Sequence, residues 1–257
     1  MMTQVTTRAS SVRNTFVRQI VAIGGGALSV EPHSRSLDRY IFGLTNKRNP
    51  RVAFVGTASG DAPDYLGRFR QAMRRLPCRP SEISLFRLPD AGPSLAGRIL
   101  GQDVIYVGGG NTANLLAIWR VHGVDKLMRK AWMQGTVLCG SSAGMICWFQ
   151  SSVTDSFGPL RELQDGLGFL PGSACPHYDG EARRRPTFQR LVRDGTLPAG
   201  FAADDFAAIH FVGRRVFRCI ASRPGANVYR VERHRGKVVE RTLPTALLNR
   251  RGVRGRD

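Results

Sequence analysis

The sequence lacks any long apolar run and any closely spaced pair of cysteines. No stretch approaches the roughly 18 consecutive apolar residues that a membrane-spanning helix needs, so no membrane partner is predicted. The five cysteines are odd in number and scattered, without a Cys-x-x-Cys pair, which argues against both a disulfide framework and a zinc site. We therefore expect reduced thiols, no metal, no organic cofactor and a cytoplasmic location.

Acidic residues are also scarce. The 19 Asp and Glu residues stand against 38 Lys and Arg residues, so the formal net charge is +19. No acid precedes Glu31, a composition that transit peptides share, but no apolar signal core with a cleavage site follows. Such a charge favours loose, salt-sensitive contact with polyanions. Because no nucleic-acid-binding module accompanies it, no specific nucleic-acid partner is predicted.

The chain contains neither a linker nor an internal repeat that would divide it. No stretch is rich enough in Pro, Gly or Ser to separate two domains. We expect residues 1–18 to be a basic, disordered extension, residues 19–245 to be a single α/β domain, and residues 246–257 to be a basic tail. The sequence leaves open whether the protein is a monomer or a homodimer.

Short β-rich runs alternate with longer amphipathic runs over the first half of the chain. Four β-rich runs end in loops of glycine or other small residues: Gln19–Ile23, Arg51–Val55, Asp103–Val107 and Val137–Leu138. Helix-like stretches lie between them, at Tyr65–Leu76, Ala113–Val121 and Val124–Trp132. This alternation predicts an α/β fold with a mostly parallel sheet and helices on both faces. In such sheets ligands gather at the carboxyl ends of the strands, where these loops lie.

From about Phe201 the pattern changes to short strands separated by turns. The strand-like runs are Ala207–Val212, Arg215–Ile220, Asn227–Val231 and Lys237–Glu240. They predict antiparallel hairpins at the end or edge of the same sheet.

One pentapeptide suggests nucleophilic catalysis. Gly140-Ser141-Ser142-Ala143-Gly144 follows a predicted strand and precedes a helix-compatible run, the context of a nucleophile elbow. In an elbow the glycines two before and two after the nucleophile permit its strained backbone, and the following helix directs free amides at the site. The alternative is a capping serine in an ordinary strand-to-helix turn.

A serine nucleophile needs a base, which is normally a histidine held by a carboxylate. His177, in Cys175-Pro176-His177-Tyr178-Asp179, follows the strand-like segment Phe169–Ala174 and would lie at a strand's carboxyl end. The other four histidines lie in a loop, at a helix end, within a strand or on a basic polar stretch: His33, His122, His210 and His234. Position therefore favours His177.

Three motifs together resemble a known family. Gly108-Gly109-Gly110-Asn111-Thr112, the pentapeptide with Met145, and Pro176-His177-Tyr178-Asp179 occur in the order and spacing of the dipeptidase E (aspartyl dipeptidase) and cyanophycinase family of serine peptidases. The resemblance extends from about Ile20 to about Glu240 and implies a fold similar to class I glutamine amidotransferases. It implies that Ser142, rather than Ser141, is the nucleophile and that His177 is the base.

The resemblance also implies a third catalytic residue, an acid after the next strand. In Phe201–Ile209 the acid four residues before the strand's Ile209 is Asp205, where several family members have glutamate. Because aspartate is shorter, Asp204 and Asp179 remain alternatives.

A tetrahedral intermediate needs two donors to its oxyanion. The elbow and the resemblance both indicate the Ala143 amide, with a second amide from Gly109 or Gly110. No Gly-Lys-Ser/Thr follows Gly108-Gly109-Gly110, which argues against a phosphate-binding loop. The earlier Gly24-Gly25-Gly26 is interpreted as a packed turn near the site.

Family members act on aspartyl peptides or isopeptides, so the resemblance implies a small peptide substrate. An acidic side chain is well matched by the fork of a guanidinium group. Arg183 and Arg184 are the candidates for this contact, although both would also suit an exposed helix start, and Asn111 is assigned to substrate binding.

Three other classes of protein are alternatives to a serine peptidase. An α/β-hydrolase esterase has the acid before the histidine in chain order, whereas here His177 precedes the acids. An amidotransferase-like enzyme would carry cysteine at the elbow centre, from which Cys139 and Cys147 are displaced. A catalytically silent binding protein on the same fold would use its positive charge to hold an anionic partner.

Overall fold

A computed structural model describes residues 16–28, 34–88, 91–249 and 252–253. Within them the chain forms seven α-helices: α1 Ser34–Gly43, α2 Pro63–Met73, α3 Leu95–Leu100, α4 Thr112–Val121, α5 Val124–Met133, α6 Ala143–Ile146 and α7 Arg184–Arg193. A single 3₁₀ turn covers Thr57–Ser59. None of the helices in the described ranges is long and apolar enough to cross a membrane.

Fifteen strands form two sheets within the described ranges. The nine strands of the large sheet are β1 Gln19–Ile23, β2 Arg51–Val55, β3 Arg79–Glu82, β4 Val104–Val107, β5 Val137–Ser141, β10 Ala207–Val212, β11 Arg215–Ala221, β14 Thr245–Asn249 and β15 Gly252–Val253. The six strands of the small sheet are β6 Phe149–Thr154, β7 Arg161–Leu163, β8 Leu170–Cys175, β9 Gly200–Ala203, β12 Val228–His234 and β13 Lys237–Leu243.

The large sheet has a parallel centre. Its order is β15-β14-β11-β10-β1-β5-β4-β2-β3, and the five strands β1, β5, β4, β2 and β3 run parallel to one another. Alternate residues of β1 enter different cores: Ile20 and Ala22 pack with α3, α4 and α5, whereas Val21 and Ile23 pack with α1 and α2. The predicted α/β class, with helices on both faces of a mostly parallel sheet, is confirmed.

The placement of the C-terminal strands corrects one expectation. The first predicted hairpin, β10 and β11, does join the large sheet, where β10 pairs antiparallel with β1. The second hairpin, β12 and β13, instead joins the small sheet, where β12 pairs with β9. β9 in turn pairs with β8, and β8 pairs with β6. One face of the small sheet closes the core of α3 to α5, and the other is covered by α7. Strand patterns indicate pairing geometry but do not specify which sheet a hairpin joins.

The predicted domain ends also need correction. The boundary at residue 246 falls inside β14, which pairs with β11 and buries Leu248, so the tail begins later than expected. Most of the predicted extension, residues 1–15, lies outside the described residues. At its end, Arg18 stacks over the Trp132 ring at 5.3 Å and donates a hydrogen bond to Met133. This part of the extension is therefore attached to the fold.

Candidate active site

The pentapeptide forms a strand, a sharp turn and a helix. β5 ends at Ser141, α6 begins at Ala143, and Ser142 between them has φ 57° and ψ −113°, a backbone conformation that L-residues rarely adopt. A Cβ at Gly140 would lie 2.5 Å from the Gly144 carbonyl oxygen, and one at Gly144 would lie 2.2 Å from that of Val107. Both glycines are required because the turn is packed against itself and against β4. The elbow geometry thus exists, although α6 is only one turn long.

His177 lies beyond the carboxyl end of β8, as its position in the sequence predicted. It has φ 50°, and its Nδ1 lies 2.6 Å from Asp205 Oδ1. This hydrogen bond, followed in importance by the charges of His177 and Arg223, holds the pKa of Asp205 below its ordinary value despite partial burial. When Nδ1 carries the proton, Nε2 is left as a proton acceptor. The contact is the arrangement that a base and its orienting carboxylate require.

The structure distinguishes among the three candidate acids. The Asp204 carboxylate accepts hydrogen bonds from the Asn227 amide at 2.8 Å and the Tyr229 hydroxyl at 3.2 Å, and none of its described hydrogen bonds involves His177. Burial raises the pKa of Asp204 to about 6. Asp179 accepts the Asp205 amide at 2.8 Å and pairs with Arg223. Asp205 alone among the three contacts the imidazole, and the other two brace its turn.

The Gly24-Gly25-Gly26 turn is more central than the sequence suggested. Its entry, Ile23, accepts the Ser142 amide through its carbonyl oxygen at 3.2 Å, and Gly24 accepts the His177 amide at 3.3 Å. A Cβ at Gly25 would lie 1.8 Å from Asp205 Oδ1 and 2.5 Å from His177 Nδ1. The backbone after β1 therefore fixes the elbow and both partners of the imidazole-carboxylate pair at once.

The hydroxyl of Ser142 is not yet engaged with the imidazole. Across the described residues, the only side-chain hydrogen bond of His177 is the one to Asp205, and the Ser142 hydroxyl makes none. Ser142 is partly exposed, and its Oγ lies 3.7 Å from the position that a Cβ on Gly109 would occupy. The loop after β4 therefore forms the wall beside this hydroxyl.

The predicted oxyanion donors differ in their availability. No described hydrogen bond uses the Ala143 amide, whereas the amides of Met145 and Ile146 in the same turn donate to the Ser142 carbonyl oxygen. The Gly109 amide is occupied, because it donates to the hydroxyl of Tyr65 at 2.9 Å. Gly110 has φ 135° and is exposed, and no described hydrogen bond uses its amide. Ala143 and Gly110 thus have free amides, and Gly109 is linked to a tyrosine.

The three predicted substrate-binding residues are placed very differently. Asn111 caps α4, since its Oδ1 accepts the Asn114 amide and its Nδ2 donates to the Ser156 carbonyl oxygen, so both ends of the amide are used. The side chain of Arg184 is 3% exposed and ion-paired with Glu181 and Asp155. This geometry gives Asn111 and Arg184 structural tasks. Contact of Asn111 and Arg184 with substrate stays a prediction. The hydrogen bonds and ion pairs of these side chains within the protein do not favour it.

Arg183 remains accessible. It is exposed and lines a cavity of about 340 Å³ together with Asp155, Gly158, Leu160, Glu181 and Ala182. The loop on one side of this cavity also contacts the start of α4, because the Ser156 hydroxyl accepts the amides of Thr112 and Ala113. Arg183 is therefore the predicted arginine that could still meet a ligand.

Two features escaped the sequence analysis. Tyr65, which contacts Gly109, lies 44 positions earlier in the chain, and only the proximity of two strand ends in the folded sheet brings them together. The pairing of Asp179 with Arg223 is equally remote in sequence. The one local signal was the Gly24-Gly25-Gly26 run, since three consecutive glycines at a strand's end predict a close approach of backbone to other groups.

The arrangement contains thiols but no metal-binding cluster in the described ranges. All five cysteines are free, and four of them are buried. Burial raises the pKa values of Cys139 and Cys147, on either side of the elbow, well above the ordinary range. Thiols of this kind are inert, so the serine is the accessible nucleophile at this end of the sheet.

Comparison with known proteins agrees with this chemistry. The profile of Peptidase family S51 matches residues 20–219. The Uncharacterized peptidase YgaJ of Bacillus subtilis (strain 168) is 48% identical over 232 residues, which cover 90% of this chain and 100% of that protein. Peptidase E of Streptomyces coelicolor is 32% identical over 150 residues, which cover 56% of this chain and 59% of that protein.

Two solved structures share the fold. A peptidase from an acI-B1 Actinobacterium has a TM-score of 0.63 and 16% identity, covering 90% of this chain and 96% of that one. A putative peptidase E protein from Listeria monocytogenes EGD-e has a TM-score of 0.55 and 19% identity, covering 89% and 100%. The protein is a serine-type peptidase of α/β fold. It belongs to peptidase family S51 and resembles peptidase E, as the sequence motifs predicted.

Proposed function

We propose that the protein hydrolyses a peptide or isopeptide bond of a small aspartyl substrate through Ser142, His177 and Asp205. The observation that carries this proposal is the 2.6 Å contact between His177 Nδ1 and Asp205 Oδ1, next to a serine on a strained elbow. An imidazole held by a carboxylate beside an exposed hydroxyl is the arrangement that activates serine nucleophiles.

The reaction would proceed through an acyl-enzyme. His177 Nε2 takes the proton of Ser142 while Oγ attacks the scissile carbonyl carbon, and the carbonyl oxygen becomes the oxyanion of a tetrahedral intermediate. The intermediate collapses as the imidazolium donates its proton to the leaving amine. Water, deprotonated by the same histidine, then attacks the ester, and the proton returns to Ser142 as the acid product departs.

Residues around Ser142 would support each step of this proposed reaction. The Ala143 amide is an uncommitted donor at the elbow and would bind the oxyanion. Asp205 stabilises the imidazolium that forms in both halves of the reaction. The Ser142 hydroxyl must rotate towards Nε2 when substrate arrives, since catalytic hydrogen bonds commonly tighten only in the bound complex.

Substrate preference rests on charge. The resemblance to peptidase E supports an aspartyl substrate, and the exposed Arg183 beside the 340 Å³ cavity supplies a cation for its carboxylate. We propose no specific nucleic-acid or membrane partner, and we propose a cytoplasmic location because all five cysteines are free. A monomer and a homodimer are equally compatible with this chemistry.

The test is hydrolysis of a panel of Asp-X dipeptides, β-Asp-Arg and non-acidic dipeptides. Ser142→Ala should lower kcat/KM for the preferred substrates by about 10³-fold or more, because the nucleophile is removed. Ser141→Ala is the matched control, since Ser141 is the buried neighbour in β5 and should retain activity within a few fold. Arg183→Ala should raise KM for acidic substrates only.

Thermal melts would show that each variant is folded. Equal activity of the wild type and Ser142→Ala would remove Ser142 from the chemistry. Loss in Ser141→Ala but not in Ser142→Ala would reverse the assignment of the nucleophile. A wild type that is silent on the whole panel and unreactive towards a serine-directed phosphonate would favour the catalytically silent binding protein.

A further inference from the structure

Tyr65 contacts the loop that adjoins the nucleophile, although no motif includes it. It is in the first turn of α2, and its hydroxyl oxygen accepts the Gly109 amide at 2.9 Å. Gly109 is in contact with the elbow, because a Cβ placed on it would lie 3.2 Å from Ser142 Cβ and 3.4 Å from the Ser141 carbonyl oxygen. One of the two glycine amides predicted as the second oxyanion donor, that of Gly109, thus donates to a phenol oxygen.

The Tyr65 proton has no acceptor within the described residues. The hydrogen bond from Gly109 uses Tyr65 as an acceptor, and no other described hydrogen bond involves its hydroxyl. Burial raises the pKa of Tyr65 above its ordinary value, so the group keeps its proton at neutral pH, even though the Gly109 amide and Arg68 act in the opposite direction. A hydroxyl that accepts one hydrogen bond is polarised to donate another more strongly.

The ring is held firmly. It contacts Phe54, with ring centroids 5.1 Å apart, and the Arg68 guanidinium lies 4.8 Å from the ring centroid on one face. A Cβ on Gly108 would come within 3.2 Å of the ring, so the loop after β4 is packed against it. Moving the phenol aside to free the Gly109 amide would disrupt all of these contacts. A fixed donor needs no reorganisation as charge develops, which is the condition for strong electrostatic stabilisation.

We infer that Tyr65 is a catalytic residue of the proposed peptidase reaction, donating its hydroxyl proton in a hydrogen bond to the oxyanion opposite the Ala143 amide. The Gly109 amide acts through it, as a donor to the phenol oxygen. This inference rests on the proposed function of Ser142. It differs from the expectation that Gly109 donates directly to the oxyanion, and it gives the Gly109-to-Tyr65 contact a chemical purpose.

The test is Tyr65→Phe, which keeps the ring and its packing and removes only the hydroxyl. We expect kcat to fall by about 10²- to 10³-fold with KM within about threefold, since the lost interaction is made in the transition state. Inhibition by a short aspartyl peptide aldehyde, whose adduct with Ser142 carries an oxyanion, should weaken by a similar factor. Tyr40→Phe removes a phenol that hydrogen-bonds His210, outside the catalytic groups, and should leave kcat unchanged.

A second measurement separates catalysis from positioning of substrate. The Kd of the preferred dipeptide should be the same for Ser142→Ala with and without Tyr65→Phe, because the ground-state carbonyl has little charge. Folded Tyr65→Phe with wild-type activity would overturn the inference and leave the proposed function intact, and higher activity would show that the phenol blocks the Gly109 amide. Inactivity of the wild type itself, with Ser142 unreactive to the aldehyde, would overturn both.

Discussion

The carboxyl and amino ends of the large sheet differ in how their polar groups are hydrogen-bonded. At the carboxyl end, Ser142 has a strained positive φ, His177 approaches from the end of β8 in the small sheet, and no described hydrogen bond uses the Ala143 amide. At the amino end, the carboxylate of Asp103 is fully paired. Asp103 lies 2.8 Å from Lys47 and 3.0 Å from Arg51, and these hydrogen bonds outweigh the effect of burial and lower its pKa to about 2.

The same end of the sheet holds a histidine that contrasts with His177. Both nitrogens of His210 have partners, the Tyr40 hydroxyl at 2.7 Å and Gln19 Oε1 at 3.1 Å, and the ring stacks edge-on with Phe217. His177 has one nitrogen held and one free. A histidine with both nitrogens engaged has no free nitrogen to accept a proton from a nucleophile, whereas His177 keeps Nε2 available for this step.

The largest effect is expected from a change of the carboxylate that is hydrogen-bonded to His177. Asp205→Asn should lower kcat by about 10³- to 10⁴-fold, because an amide stabilises neither the required tautomer of His177 nor its imidazolium. Steady-state kinetics on the preferred dipeptide measures this.

The matched control is Asp204→Asn at the neighbouring position. Asn retains an oxygen for the Asn227 amide and the Tyr229 hydroxyl, so activity should stay within tenfold of the wild type. A loss in Asp204→Asn equal to that in Asp205→Asn would mean that both carboxylates belong to the catalytic unit.

A second prediction compares glycines at the two ends. Gly25→Ala should reduce kcat/KM by 10²-fold or more, because its Cβ would lie 1.8 Å from Asp205 Oδ1 and must displace the acid or the imidazole. Gly43, exposed at the end of α1, has no atom within 4 Å of an added Cβ. Gly43→Ala should leave activity unchanged and stabilise the fold by about 0 to 1 kcal/mol. Equal tolerance of both substitutions would contradict a rigidly packed site.

The smallest expected effect concerns acid stability at the amino end. Burial, with a contribution from Arg218, lowers the pKa of His210 from 6.5 to about 4. The unfolded chain therefore takes up a proton between pH 6.5 and pH 4 that the folded chain refuses, and stability falls as the pH drops through this window. The loss reaches about 3 kcal/mol once pH 4 is passed.

Urea unfolding at pH 7.5 and pH 4.5 would measure this loss. His210→Gln should reduce the difference between the two free energies of unfolding, whereas His122→Gln should not, because His122 is exposed at the end of α4. An unchanged pH dependence in His210→Gln would assign the acid sensitivity to other groups.

The sequence indicated the local geometry of the site because its signals are local. Gly140 and Gly144 around Ser142 predict a tight turn wherever a strand precedes it, and Pro176-His177 follows a recognisable strand. The sheet to which β12 and β13 belong could not be read in this way, since alternation specifies a buried face and not a partner. Arg183 and Arg184 are identical in type and adjacent, yet one is exposed and the other 3% exposed. Only packing against Glu181 and Asp155 distinguishes them.

The turn after β1 also determines when the protein can become active. Gly24 and Gly25 are synthesised before the rest of the site, but β1 pairs with β5 and β10, and Asp205 follows Ser142 by 63 residues in the chain. A nascent chain therefore contains the serine well before the base can be oriented. We expect hydrolysis to begin only when β10 has paired with β1, so that a chain truncated before Asp205 is inactive.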